Sequence, residues 1–158
     1  MPKYMEFLRG RLTETISGTY CETEIRTPAS KTEKMAMLIH KVVFDGDDLV
    51  CANDEWMQIR AALQKRSKTG IPGGISNSDV VCQWKRFFRN IAQTSSQTEG
   101  GPWEIDFDPP VLYAKDGIWL AMLKTYLTTA GGTKTVDVMI GYTLEKVAAQ
   151  DFIDALVE

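Results

Sequence analysis

Gly117 to Glu145, GIWLAMLKTYLTTAGGTKTVDVMIGYTLE, is the stretch on which the fold turns. In its second half Val136, Val138, Ile140, Tyr142 and Leu144 alternate with Thr135, Asp137, Met139, Gly141, Thr143 and Glu145, the period of two that turns one apolar face of a strand inward. The first half is apolar on both sides, with Ile118, Leu120 and Met122 on one and Trp119, Ala121 and Leu123 on the other. Such a strand needs cover on both faces, from a second layer or from another subunit. Ala130-Gly131-Gly132 lies between the halves, so the stretch reads as a long antiparallel hairpin.

Upstream, Thr15 to Arg26 has the β-branched and aromatic composition of a first strand and ends at Thr27-Pro28. Met35 to Phe44 reads as a second strand, stopped by Asp45-Gly46-Asp47-Asp48. Residues 53 to 66 stay open. Met57, Ile59, Ala61 and Leu63 alternate as in a half-buried strand, the favoured reading, while Trp56, Ile59 and Leu63 also fit helical spacing behind an Asn53 cap. Lys68 to Ser78 reads as a loop. From Ser78, Val80, Val81, Trp84, Phe87, Phe88 and Ile91 recur at three- and four-residue steps, which predicts an amphipathic helix over 79 to 91.

Gln93 to Gly101 is expected to be a flexible connection, and Trp103 to Phe107 a short strand ended by Asp108-Pro109-Pro110. Lys146 to Val157 suggests a terminal helix or folded tail. Residues 1 to 14 lack periodicity and read as an N-terminal arm with Tyr4, Phe7 and Leu8 available to dock on a neighbour, or as a frayed terminus. Strands joined by turns, without strand-helix-strand alternation, predict an all-β fold, an antiparallel β-sandwich with Greek-key connections and one or two short helices over residues 15 to 158.

The 158 residues suffice for about one domain. A formal charge of −3 is no general attraction for polynucleotides, so any such contact has to be local. No apolar run is long enough to cross a bilayer as a helix, and the first residues lack the apolar core of an export signal. Cys21, Cys51 and Cys82 are odd in number and far apart, which fits neither a disulfide framework nor a clustered zinc site.

Little in the chain has catalytic spacing. His40 is the single histidine and sits among apolar neighbours, as a structural residue does; one imidazole cannot supply a metal site alone. Cys82 with His40 lacks a third orienting residue. Asp45-Gly46-Asp47-Asp48 lacks the ligand spacing of a calcium loop and reads as a solvated turn. Gly70 to Gly74 lacks the lysine of a phosphate loop. No catalytic residue, metal or cofactor is expected. The best basic patch is Lys85, Arg86 and Arg89, with Lys65, Arg66 and Lys68 as candidate neighbours. Lys85 and Arg89 share a face at a spacing of four and could bind phosphates, or form a hydrated face.

Four motifs together carry a resemblance: Met37-Leu38-Ile39-His40, Ile59-Arg60-Ala61-Ala62-Leu63, Asp106-Phe107-Asp108-Pro109-Pro110 and Ile140-Gly141-Tyr142-Thr143. Over residues 15 to 158 the chain resembles the single jelly-roll capsid proteins of small icosahedral viruses. The resemblance implies two four-stranded antiparallel sheets packed face to face, strand rather than helix for residues 56 to 65, and a shell of many identical chains, found in the virion and assembled in host cytoplasm or nucleus. It implies self-association as the main partnership, viral nucleic acid as a further partner, and no membrane. One departure is the arm, which carries only Lys3, Arg9 and Arg11 where many such proteins have a strongly basic segment. The nucleic-acid candidates are then Lys3, Arg9, Arg11, Lys85, Arg86 and Arg89. The subunit-interface candidates are Tyr4, Phe7, Leu8, Trp84, Phe87, Phe88 and Trp119.

Two rival readings remain. A β-sandwich ligand- or carbohydrate-binding module would use Trp56, Trp84, Trp103 or Trp119 as platforms. A small hydrolase would use Asp106 or Asp108 as acid or base.

Overall fold

Alternation of apolar side chains at a period of two recurs along the chain and gives, among the described residues, nine strands and one helix. The structure is a computed structural model and describes residues 4–69, 77–91, 95–101, 103–128 and 131–158, with 95–101 as backbone. The elements are β1 (Glu6–Thr13), β2 (Cys21–Arg26), β3 (Met35–Gly46), β4 (Trp56–Gln64), β5 (Val80–Ile91), β6 (Ser95–Gly101), β7 (Glu104–Tyr113), β8 (Gly117–Tyr126), β9 (Thr135–Lys146) and α1 (Ala149–Val157). They form an all-β sandwich of two antiparallel sheets. Sheet A has the order β1-β9-β3-β7, and sheet B the order β2-β8-β4-β5-β6.

The inward faces interdigitate into one core. Ile39, Val42 and Phe44 of β3 and Val136, Val138 and Ile140 of β9 meet Ile59 and Leu63 of β4, Trp84 of β5, and Ile118, Leu120 and Met122 of β8. Each such aliphatic side chain stabilises the fold by about 1.5–3 kcal/mol when fully buried. Phe44 stacks on Trp84 with ring centroids 6.1 Å apart, which ties the sheets at one end. Gly46 leaves room for that indole: a Cβ there would lie 2.6 Å from Trp84 Cη2.

Several expectations are overturned. The hairpin of residues 117 to 145 does not exist. β8 pairs with β2 and β4 in sheet B, and β9 pairs with β1 and β3 in sheet A, so the chain changes sheets between Tyr126 and Thr135. The expected turn falls partly outside the described residues, at Ala130. Residues 79 to 91 are not a helix but strand β5, with Cys82, Trp84, Arg86 and Phe88 on the inner side opposite Leu63, Ala61, Ile59 and Met57. Aromatic residues on both faces imitate helical spacing, and tertiary pairing favours strand for a Val- and Phe-rich run.

The expected arm is mostly strand β1, whose Leu8 and Leu12 point into the core while Phe7, Arg9 and Arg11 line the outside. The strand expected from Thr15 starts only at Cys21, as β2. The connection of residues 93 to 101 becomes edge strand β6 from Ser95, paired with β5. β7 runs through Pro109 and Pro110 because it is an edge strand with a bulge opposite Ile39 and Lys41, where missing N–H groups cost no central ladder bond. β4 is a strand, and the terminal helix is α1. Of the expected loop at 68 to 78, residues 70 to 76 lie outside the described residues.

Helix α1 covers part of the outer side of sheet A. Its Phe152 packs with Ala36 of β3 and Ala114 on the outer side of sheet A, supported by Leu112, Val147, Ala155 and Leu156. That cover comes from the chain itself and requires no second subunit.

Candidate functional site

The strand pleat divides the predicted basic patch. Lys85 and Arg89 are exposed on the outer face of sheet B, as a spacing of four requires in a strand as well as in a helix. Arg86 points the other way. Its guanidinium donates to the carbonyls of Gly46 (3.3 Å) and Asp47 (3.1 Å) and to Asp48 Oδ1 (3.1 Å), and lies 5.3 Å from the centroid of the Trp103 ring. It fastens the β3 end and leaves the patch. Arg60, opposite Lys85 on β4, takes its place on the outer face. Beside these cations Trp56 stacks on Phe87 at 6.2 Å. The outer face of sheet B thus carries three cations around an aromatic pair.

Arg9 and Arg11 lie on the opposite sheet. Arg11 is engaged by Asp137 through Nε (2.7 Å) and Nη2 (3.0 Å), and that guanidinium holds the Asp137 carboxyl below its ordinary range. Arg9 remains exposed beside a groove of about 470 Å³ that includes Val43 and Met139. Lys3 lies outside the described residues. The five described cationic candidates therefore do not form one surface.

The interface candidates also separate. Trp84, 1% exposed, is a core residue and cannot touch a neighbour. Leu8 and Phe88 are half-buried against the core. Tyr4, 87% exposed, and Phe7, 49% exposed, stand outward on or just before β1, where Met5 and Phe7 pass over Gly141. Phe87 and Trp119 are half-buried on the outer face of sheet B. Two candidate contact surfaces result: the β1 side of sheet A with Tyr4, Met5 and Phe7, and the outer face of sheet B.

Chemistry elsewhere is occupied by structure. His40 Nε2 lies 2.8 Å from Thr143 Oγ1 in sheet A, whereas Cys82 is on the inner side of sheet B, so the two do not form a nucleophile and base. Burial pushes the Cys82 thiol up to about 12 and the Cys21 thiol up to about 11. Asp47 accepts the Thr135 amide at 2.8 Å, Asp48 holds Arg86, and Glu104 holds Lys41 at 2.7 Å. Among the described residues no three metal-ligating groups converge. No described helix is long and apolar enough to cross a membrane.

Sequence reasoning missed one buried charge pair. Lys124 Nζ lies 3.3 Å from Glu14 Oε1, with both side chains fully buried. The ammonium also donates to Ser17 Oγ and the Gly132 carbonyl, while the carboxylate accepts the amides of Gly18 (2.8 Å) and Lys134 (2.9 Å). The available signal was a single charge at an inward position of β8, two residues after Met122. No protein-family model matches the chain, and no curated protein matches it.

Proposed function

We propose that the chain is a single jelly-roll coat protein that self-assembles into an icosahedral or capsid-like shell in a virion. The observation that carries this reading is the nesting of the strand pairs. With edge strand β6 set aside, β1 pairs with β9, β2 with β8, β3 with β7 and β4 with β5, the first partner always matched to the last still free. This nesting is what a ribbon rolled across two sheets into a jelly roll requires and supports that architecture, which capsid, lectin and cupin domains share.

Architecture alone does not choose among these. A cupin site needs several converging ligands, and the chain has one histidine. A shell subunit needs apolar surface left for its neighbours, and Tyr4, Met5 and Phe7 supply it along β1. Assembly in host cytoplasm or nucleus belongs to the same proposal, as does a packaged nucleic acid held by local cations rather than by a strongly basic arm. A ligand-binding module is the second reading, favoured by the Trp56 and Phe87 stack on the outer face of sheet B.

Negative-stain microscopy of the purified chain tests the proposal. Closed or partly closed particles are expected from the natural sequence, and their loss is expected from Phe7→Glu combined with Tyr4→Glu while circular dichroism stays unchanged. A natural chain that forms no particles, and whose tryptophan fluorescence responds to glycans, would replace the shell with the binding module.

A further inference from the structure

At the end of the sandwich where β8 begins, the chain gathers Lys31, Lys65, Arg66 and Lys115, of which only Arg66 faces a carboxylate, that of Asp79 at 3.3 Å. Lys115 occupies the short turn between β7 and β8. That turn is held on several sides: Thr27 donates its amide to the Asp116 carbonyl (3.0 Å) and its hydroxyl to the Lys115 carbonyl, and Tyr113 donates its hydroxyl to the Gly117 carbonyl at 2.7 Å. Lys65 and Arg66 follow β4. Their segment is fixed by the Lys65 amide on the Asp79 carbonyl (2.7 Å) and by Glu22, which accepts the Ser67 hydroxyl and the Lys68 amide (3.0 Å). Lys31, from the β2–β3 connection, completes the rim. Together with Trp119 these residues border a cleft of about 450 Å³, within the range that takes a small ligand.

The carboxylates nearby are committed. Asp79 takes Lys68 Nζ at 3.0 Å and Arg66 Nε at 3.3 Å, and Lys68 foremost keeps its carboxyl below the ordinary range. Asp116 itself borders the cleft on its exposed side, with its carboxylate 3.9 Å from Arg26. Glu158 borders an adjoining hollow that Lys65 and Arg66 also line. No described carboxylate lies within ion-pair distance of the Lys31, Lys65 or Lys115 ammonium, and residues 70 to 76 contain no acidic side chain. Burial, followed by Arg66 and Lys65, holds the Lys115 ammonium below its ordinary pKa. An anion in the cleft would reverse that penalty.

We infer that this cleft binds a nucleoside phosphate, with the phosphate between Lys65, Arg66, Lys115 and Lys31 and the base against the indole of Trp119. Cations alone would suit any anion. The half-buried Trp119 on the cleft wall adds a stacking surface for a planar ring, which inorganic phosphate and acidic peptides lack. Both segments are fixed by hydrogen bonds before any ligand arrives, so little ordering cost opposes binding. The same chemistry is presented by a free nucleotide and by one unit of a single strand. The inference is independent of shell assembly, since every residue belongs to one chain.

Tryptophan fluorescence of the full chain, titrated with AMP, inorganic phosphate, short oligothymidylate and hexaglutamate, tests it. Saturable quenching by AMP or oligothymidylate is expected, absent in Trp119→Phe and shifted to about tenfold higher concentration in Lys65→Gln/Lys115→Gln. Tighter binding of the oligonucleotide than of AMP, weakening with salt, assigns a strand; equal binding assigns a free nucleotide. The glutamine variant keeps the strand ends intact, so the result does not depend on the fold tolerating Trp119→Phe. Absence of saturation, equal binding by the glutamine variant, or equal binding of phosphate or hexaglutamate would overturn the inference.

Discussion

Strand β8 carries a lysine near each end, and the two meet opposite surroundings. Lys124 is fully buried, faces the Glu14 carboxylate and is surrounded by acceptors, while Glu14 itself holds two backbone amides. Lys115, just before the strand, is only partly desolvated, and its nearest influences after burial are other cations. A buried charge is tolerated where its partner and hydrogen bonds are complete. A crowded, partly wet charge is tolerated without a partner because solvent screens it. The first arrangement closes the sandwich, tying the β1–β2 connection to the end of β8 and the start of β9. The second leaves a site open to a ligand.

The largest expected effect tests this contrast at its buried end. Lys124→Met should destabilise the fold by about 3–5 kcal/mol, because Glu14 stays buried without its counter-charge. Urea denaturation measures it. Combining Lys124→Met with Glu14→Leu should recover most of that loss, since apolar replacement of both partners removes the stranded charge. Next in size is Arg11→Ala. Its pair with Asp137 is bidentate but exposed, so a loss much smaller than that of Lys124→Met is expected, and a comparable loss would mean that burial is not what separates the pairs.

The smallest effect concerns Lys115→Gln, which should change stability near neutral pH by less than about 0.5 kcal/mol. Its signature is in the pH dependence. The folded pKa lies below the ordinary 10.5, so between those values the unfolded chain holds a proton that the folded chain has released, and stability rises with pH. Tyr20 and Tyr113, whose hydroxyls burial pushes up, act in the opposite direction, so the measured quantity is the difference between natural chain and variant. That difference should grow in favour of the natural chain as pH approaches 10.5.

Much of this architecture was legible. The alternation at Thr135 to Glu145 marked β9, Met35 to Phe44 marked most of β3, and the apolar residues of 146 to 157 marked α1. Partner choice was not legible, because alternation states which side of a strand is apolar and not which strand lies beside it. The segment from Leu127 to Lys134 held a neglected signal: it is longer than the roughly two to five residues of a tight hairpin, and it changes sheets. β5 misled because Trp84 and Phe88 face inward while Phe87 stacks outward on Trp56. β1 was missed because only Leu8 and Leu12 mark its inner face, with Gly10 between them.

The candidate surfaces were less legible than the fold. Spacing kept Lys85 and Arg89 together, but no linear reading could send Arg86 to Asp48 and Trp103 or bring Lys65 to Lys115. Those placements arise from strands distant in sequence.

Sedimentation velocity of the natural chain over a range of concentrations tests the central claim of shell assembly most directly. The account predicts a rapidly sedimenting species of many copies in exchange with little or no monomer. A single species of 17.7 kDa persisting at the highest concentration would contradict it.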